Sequence, residues 1–256
     1  MKKLYMKLLD IKKLRPLFIA IQFLTRVPVP AMENITDKEV GRSTLYYPVV
    51  GLLIGLLLFS IAWVGGSASS LLTAALALSG WVVITGALHL DGLADSADAW
   101  VGGNGNKERT LEIMKDPCSG PVAVVFVLLV LLLKFSAIES IISSGQLSLL
   151  ILAPVIARAS MPVLLLTTPY VRDIGLGSAM VEYLPSKKAI YGMIFLNAIF
   201  ALLFGYVGLA IIAISLICFV LIRKLMIKRI GGTTGDTAGA MLELMETGVL
   251  VAIALY

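Results

Sequence analysis

Charge, histidine and cysteine are all scarce in this chain of 256 residues. Only 14% of the residues are charged, one is histidine and two are cysteine. So little charge beside 59% apolar residues, with a mean hydropathy of +0.96, excludes an ordinary soluble domain and describes a multi-pass membrane protein. Cys118 lies in a polar loop and Cys218 in an apolar run, so they form neither a metal-binding spacing nor a disulfide framework. The net charge of +5 is no nucleic-acid signal, because the basic residues sit in loops between apolar runs. No internal repeat is visible, which weighs against a cation-coupled transporter with inverted repeats and broken helices.

What is present is a series of long apolar runs, at about 43–64, 68–90, 119–143, 147–168, 189–207, 208–223 and 236–256. The expected fold is all-α, a polytopic membrane helix bundle of about seven transmembrane helices forming one catalytic domain over 1–256. The basic arm 1–15 is followed by an apolar stretch that Gln22 and Arg26 interrupt. Val27-Pro28-Val29-Pro30 is a poor cleavage context, so the stretch reads as a short interfacial or re-entrant helix, not a signal peptide. The arm, the acidic loop 91–118, the loop 169–188 and the loop 223–234 carry nearly all the Lys and Arg. Seven spans with a cytoplasmic N-terminus put all of them inside.

Against this background the run His89-Leu90-Asp91-Gly92-Leu93-Ala94-Asp95-Ser96-Ala97-Asp98 stands out, with Glu112 and Asp116 after it. On a helix Asp91, Asp95 and Asp98 share one stripe at i, i+4 and i+7, with no Lys or Arg between them. Such a stripe calls for a counter-charge, and Mg²⁺ or Mn²⁺ with phosphate oxygens suits an all-oxygen set. Asp98 is either a ligand or the base, and His89 is either a catalytic group or a polar residue at a helix end. Glu112 and Asp116 either join the metal cluster or face water beside Arg109 and Lys115. Gly92 either admits substrate to the backbone or lets two helices pack closely. Asp236 begins the last span and shares a face with Glu243 and Glu246; Asp236 is level with the acid stripe and is assigned to the metal or a phosphate. Arg158, mid-span, binds either a phosphate or Glu243 or Glu246, and Glu243 otherwise lines a substrate cavity. Lys134 reads as a snorkelling side chain, and Gly51 and Gly55 as a small-xxx-small helix contact.

Five strings in order, from Phe23-Leu24-Thr25-Arg26-Val27-Pro28-Val29-Pro30 through Tyr47-Pro48-Val49-Val50-Gly51, His89-Leu90-Asp91-Gly92-Leu93-Ala94-Asp95 with Asp98, and Glu112-Ile113-Met114-Lys115-Asp116 to Gly235-Asp236 with Glu243, resemble the cobalamin synthase family. The resemblance implies a Mg²⁺-dependent transfer in which GDP-activated adenosylcobinamide passes to a ribose hydroxyl of α-ribazole, or of its 5′-phosphate, with loss of GMP. The expected place is the cell inner membrane or plasma membrane, multi-pass, with the active site facing the cytoplasm on the side of the basic loops. Asp91, Asp95, Asp98, Glu112, Asp116 and Asp236 would serve the metal, and Asp98 and His89 the proton transfer. Arg26, Gly92, Arg109, Lys115, Arg158 and Glu243 would bind substrate. Its partners would be the two substrates and the lipid bilayer, with no nucleic acid; a homo-oligomer or other corrinoid-pathway membrane proteins stay open. Asp-Gly-x-Ala also resembles the CDP-alcohol phospholipid phosphotransferases, but their pattern puts Arg after that Ala, where Asp95 stands here.

Overall fold

The computed structural model describes residues 11–30, 32–66, 69–172 and 176–256. The basic arm as far as residue 10 lies outside the described residues. Helices dominate, and among the described residues the single β-type pairing is an isolated bridge between Tyr170 and Thr233. Helix α1 (Ile11–Leu24) is about 21 Å long, too short to span. It buries Ile19, Ala20 and Leu24 against the bundle. Helix α2 (Asp37–Ser43) opens with a capping box in which Thr36 and Glu39 satisfy each other's backbone amides. A short 3₁₀ turn leads from it into α3 (Tyr47–Val64).

The next element departs from the sequence expectation. The apolar run at 68–90 ends as a helix at Thr85, giving α4 (Ser70–Thr85), and the chain then turns by 87° into α5 (Leu88–Gly102). Two consecutive left-handed residues, Gly86 (φ 64°) and Ala87 (φ 58°), make the corner. For Ala87 that conformation costs about 1–2 kcal/mol. The Ala87 amide donates to Val82 O (3.2 Å), its carbonyl accepts from Asp91 N (2.9 Å), and Arg26 N reaches Ile84 O (2.6 Å). The stretch 91–118 is therefore not a loop: it holds α5 and the short α6 (Lys107–Ile113), whose first turn is capped by Asn106.

Helix α7 (Pro121–Ser143) leads through a 3₁₀ turn (Leu147–Ile151) to α8 (Leu152–Thr167). Helix α8 packs on α3 at the two small residues expected to mediate a helix contact. A side chain at Gly51 would collide with the Pro154 carbonyl, and one at Gly55 would lie 2.8 Å from Ile151 Cα. After α9 (Leu176–Tyr183) comes α10 (Ser186–Ile230), 45 residues long. A straight helix of that length would reach about 68 Å, over twice a hydrocarbon core of ~30 Å. It is broken at Gly205 (φ 55°, ψ −132°), and a side chain at Gly208 would strike the Phe200 carbonyl, so the chain doubles back there. The sequence runs 189–207 and 208–223 are the two arms of this one element. The last helix, α11 (Gly235–Ala254), is the buried centre of the bundle, surrounded by α5, α7, α8 and α10.

Among the described residues, five helices are long and apolar enough to cross a membrane, and the bent α4–α5 pair supplies a sixth if read as one span. The sequence count of seven takes the two arms of α10 separately and the bent α4–α5 pair as one span. The core lies between α3, α7, α8 and α11, where Ile54, Leu58, Ile138, Ile141, Leu164 and Met241 are fully buried. Leu128, Leu129 and Leu132 of α7 and Leu202, Leu203 and Leu209 of α10 are exposed, the pattern of surfaces that meet lipid.

Candidate active site

The acid stripe is placed by a backbone contact between α5 and α11. A side chain at Gly92 would sit 2.7 Å from the Asp236 carbonyl, and one at Gly239 would be 3.4 Å from His89 Cα. Two helices can approach this closely only where both lack Cβ atoms. Of the two readings of Gly92, close packing is the one its surroundings display. Asp91, Asp98 and Asp236 all lie within electrostatic range of Asp95, as does Arg172.

Arg172 comes from the loop after α8, and its position follows from strand-like pairing with the entry to α11. Val171 N donates to Thr233 O (2.9 Å) and Thr233 N to Pro169 O (2.8 Å). Thr234 and Thr237 cap α11 reciprocally, holding the Gly231–Gly235 turn against that loop. Arg172 Nη2 then donates to Asp236 Oδ2 at 2.6 Å, while its buried Nε has no partner among the described residues. The sequence reading used Arg172 only for topology. Its partner is 64 residues away and no local pattern marks it.

Between these elements lies a cavity of about 330 Å³. Its polar wall is His89, Asp91, Arg172 and Asp236, with Tyr170 beside them; its opposite wall is apolar, from α1, α3, α8 and α9. Burial holds the Tyr170 phenol above its usual range, so its hydroxyl stays protonated in the cavity wall. His89 is almost fully buried, and its Nδ1 has no partner among the described residues.

The remaining expected site residues are placed elsewhere. Asp98 accepts hydrogen bonds from Gly120 N and from Ala123 N (2.9 Å), so both its oxygens cap the start of α7, which has no side-chain cap of its own. Glu112 pairs with Arg109 (2.8 Å) on an exposed face, Asp116 Oδ1 accepts from Cys118 N (2.9 Å), and Lys115 is exposed. Arg26 is exposed and lies across Gly86 at the α4–α5 corner.

Arg158 and Glu243 belong to a second, internal cluster. Arg158 is fully buried and pairs with Glu246, not Glu243. Lys134 does not snorkel: its ammonium donates to Glu243 Oε2 (2.6 Å) and to Glu246, and lies 4.4 Å from the Trp81 ring centre. Two cations and two carboxylates thus form a charge-balanced network inside the bundle, within electrostatic range of His89. Neither Arg158 nor Glu243 lines the cavity. Each instead makes an ion pair within this network, Arg158 with Glu246 and Glu243 with Lys134.

Among the described residues, no three His, Cys, Asp or Glu side chains converge to hold one ion. Besides His89, the possible metal ligands at the cavity are carboxylate oxygens. Mg²⁺ is commonly held by one or two carboxylates together with substrate phosphates instead of a closed protein cage. Asp91 and Asp95 fit that arrangement, while Asp236 is already shared with Arg172.

The model of one family, cobalamin-5-phosphate synthase, matches residues 16–254 of this chain. The chain belongs to that family. Proteins named adenosylcobinamide-GDP ribazoletransferase are similar to it along most of their length. The one from Pseudomonas aeruginosa PAO1 is 53% identical over 242 residues, 94% of this chain and 98% of that protein. Those of Pseudomonas entomophila and Stutzerimonas stutzeri are each 54% identical, again over 94% of this chain and 98% of theirs. No solved structure matches. Membership of the family does not favour the phospholipid phosphotransferase or the transporter.

Proposed function

We propose that this chain is a membrane transferase that joins GDP-activated adenosylcobinamide to α-ribazole, or to α-ribazole 5′-phosphate, and releases GMP. Family membership over 16–254 and the names of relatives about 53% identical carry this reading. In the reaction a ribose hydroxyl oxygen bonds to the cobinamide-bearing phosphorus. The P–O bond to GMP breaks with its electron pair, and the hydroxyl proton passes to a base. No oxidant or reductant is needed.

In this reading Asp91 and Asp95 hold Mg²⁺. The ion would neutralise charge on the pyrophosphate. Arg172, fixed by Asp236, faces a phosphate with the donors that Asp236 leaves free. Asp98 spends both oxygens on the α7 amides, while His89, the other candidate for proton transfer, lines the cavity. Arg109 and Lys115 stay available to a nucleotide arriving from the aqueous side. The cavity lies at the end of the bundle that carries Arg172, Arg223, Lys228 and Arg229, which the positive-inside rule assigns to the cytoplasm. The test is to incubate purified protein in detergent with Mg²⁺, GDP-cobinamide and α-ribazole. GMP and a corrinoid that has exchanged GMP for one ribazole are expected. Recovery of both substrates unchanged, from protein that is folded, would reject the assignment.

A further inference from the structure

Two cavities flank α5, and only one of them can present a hydroxyl to the acids. The first, described above, touches Asp91 and Gly92 directly. The second, about 360 Å³, is lined by Leu93, Ala97, Trp100, Phe126 and Met226 among others. At about 100° per residue, Leu93, Ala97 and Trp100 point to the side of α5 opposite Asp91, Asp95 and Asp98. A substrate bound there would have the whole helix between its reactive atom and the carboxylates.

The first cavity is also small and has two chemically distinct ends. At about 330 Å³ it is near the lower limit of ligand sites, roughly 300–1,000 Å³. A bicyclic nucleoside fits such a volume and a corrin macrocycle does not. Its apolar end is formed by Phe23, Tyr47, Met161, Leu165 and Met180, the last four almost wholly buried. The rings of Phe23 and Tyr47 lie nearly parallel, 17° apart with centres 6.3 Å apart. The Tyr47 hydroxyl is already engaged with Met180 Sδ at 3.4 Å, so this end offers rings, thioethers and methyls but little hydrogen bonding.

We infer that this cavity is the acceptor subsite: its apolar end takes the planar aromatic base of the ribonucleoside, and its polar end takes the ribose beside Asp91 and Asp236. The inference rests on the transfer reaction proposed above and specifies where its two substrates lie. The activated corrinoid, too large to enter, lies across the polar mouth. The alkylated benzo ring of a benzimidazole leaves no polar group stranded among Met161, Leu165 and Met180. A purine strands an exocyclic amine or carbonyl there, so the site discriminates by about tenfold or more against purine ribosides.

A photoreactive azidobenzimidazole riboside tests the placement on the whole protein in detergent, with cross-links mapped by mass spectrometry. Label on Phe23, Tyr47, Met161, Leu165 or Met180, competed away by α-ribazole, is expected. Competed label on Leu93, Trp100 or Met226 would overturn it. Kinetics give a second reading. Met161→Trp, which fills the apolar end, and Leu165→Ala, which enlarges it, should each raise KM for α-ribazole about tenfold. KM for GDP-cobinamide should stay within about twofold. An equal rise for both substrates, or a rise for the corrinoid alone, in either folded variant would refute the subsite. If wild-type protein releases no GMP with both substrates present, the reaction itself fails. If it turns over normally while label falls outside the cavity, only the subsite does.

Discussion

Replacing Lys134 by Met should destabilise the protein strongly. Lys134 sits 3% exposed between two carboxylates, donating to Glu243 Oε2 at 2.6 Å and to Glu246. Without it, Arg158 is left to balance both acids alone, and it touches only Glu246. Glu243 then keeps a buried charge with no partner. Removing one member of a buried ion pair costs about 3–5 kcal/mol. At about 2–4 °C per kcal/mol for a chain of this size, Tm in detergent should fall by roughly 10 °C. The double variant Lys134→Met with Glu243→Gln restores neutrality and keeps the Arg158–Glu246 pair, so it should recover most of the loss. Met also replaces the aliphatic stem of Lys against Trp81 with little change in volume. The assay is thermal unfolding of the four proteins of the cycle, followed by a dye or by loss of the monodisperse chromatographic peak. Strictly additive losses would refute the network as a coupled unit.

Three further outcomes follow from the same geometry. Asp98→Ala removes the cap of α7 and should cost about 1–2 kcal/mol, yet keep more than about a tenth of wild-type turnover; complete loss of turnover in folded protein would return Asp98 to the role of base. Gly92→Ala places a Cβ 2.7 Å from the Asp236 carbonyl and must push α5 off α11, so GMP release should fall at least about tenfold; near wild-type turnover would show that the acids do not depend on this contact. Asn104→Cys, in the exposed turn between α5 and α6, should react with impermeant maleimide only after cells are opened; ready labelling of intact cells would reverse the orientation.

The sequence marked the acids because carboxylates in a lipid-like composition are conspicuous, and their i, i+4, i+7 spacing reads directly as one helix face. Gly51 and Gly55 were legible for a similar reason, since a small-xxx-small pair states its own geometry. The 87° corner was not legible. It depends on Ala87 adopting a left-handed conformation inside an apolar run, and Ala carries no signal for that. Lys134 and Arg172 were missed because their partners lie about 110 and 64 residues away, so only tertiary structure gives their charges meaning. Asp98 has the same helical spacing as its two neighbours, and nothing in the stripe distinguishes a metal ligand from the cap of a helix that begins more than twenty residues later.

The central claim is that the Asp91–Asp95 face of α5, joined to Asp236, carries out phosphoryl transfer between two substrates. Its most direct measurement is GMP release by wild-type, Asp91→Asn and Asp95→Asn proteins in liposomes, with Mg²⁺, GDP-cobinamide and α-ribazole each omitted in turn. The account predicts release that needs all three components, matches the new corrinoid one to one, and falls by at least about a hundredfold in either folded variant. Undiminished release by either variant, or equal release without α-ribazole, would contradict it.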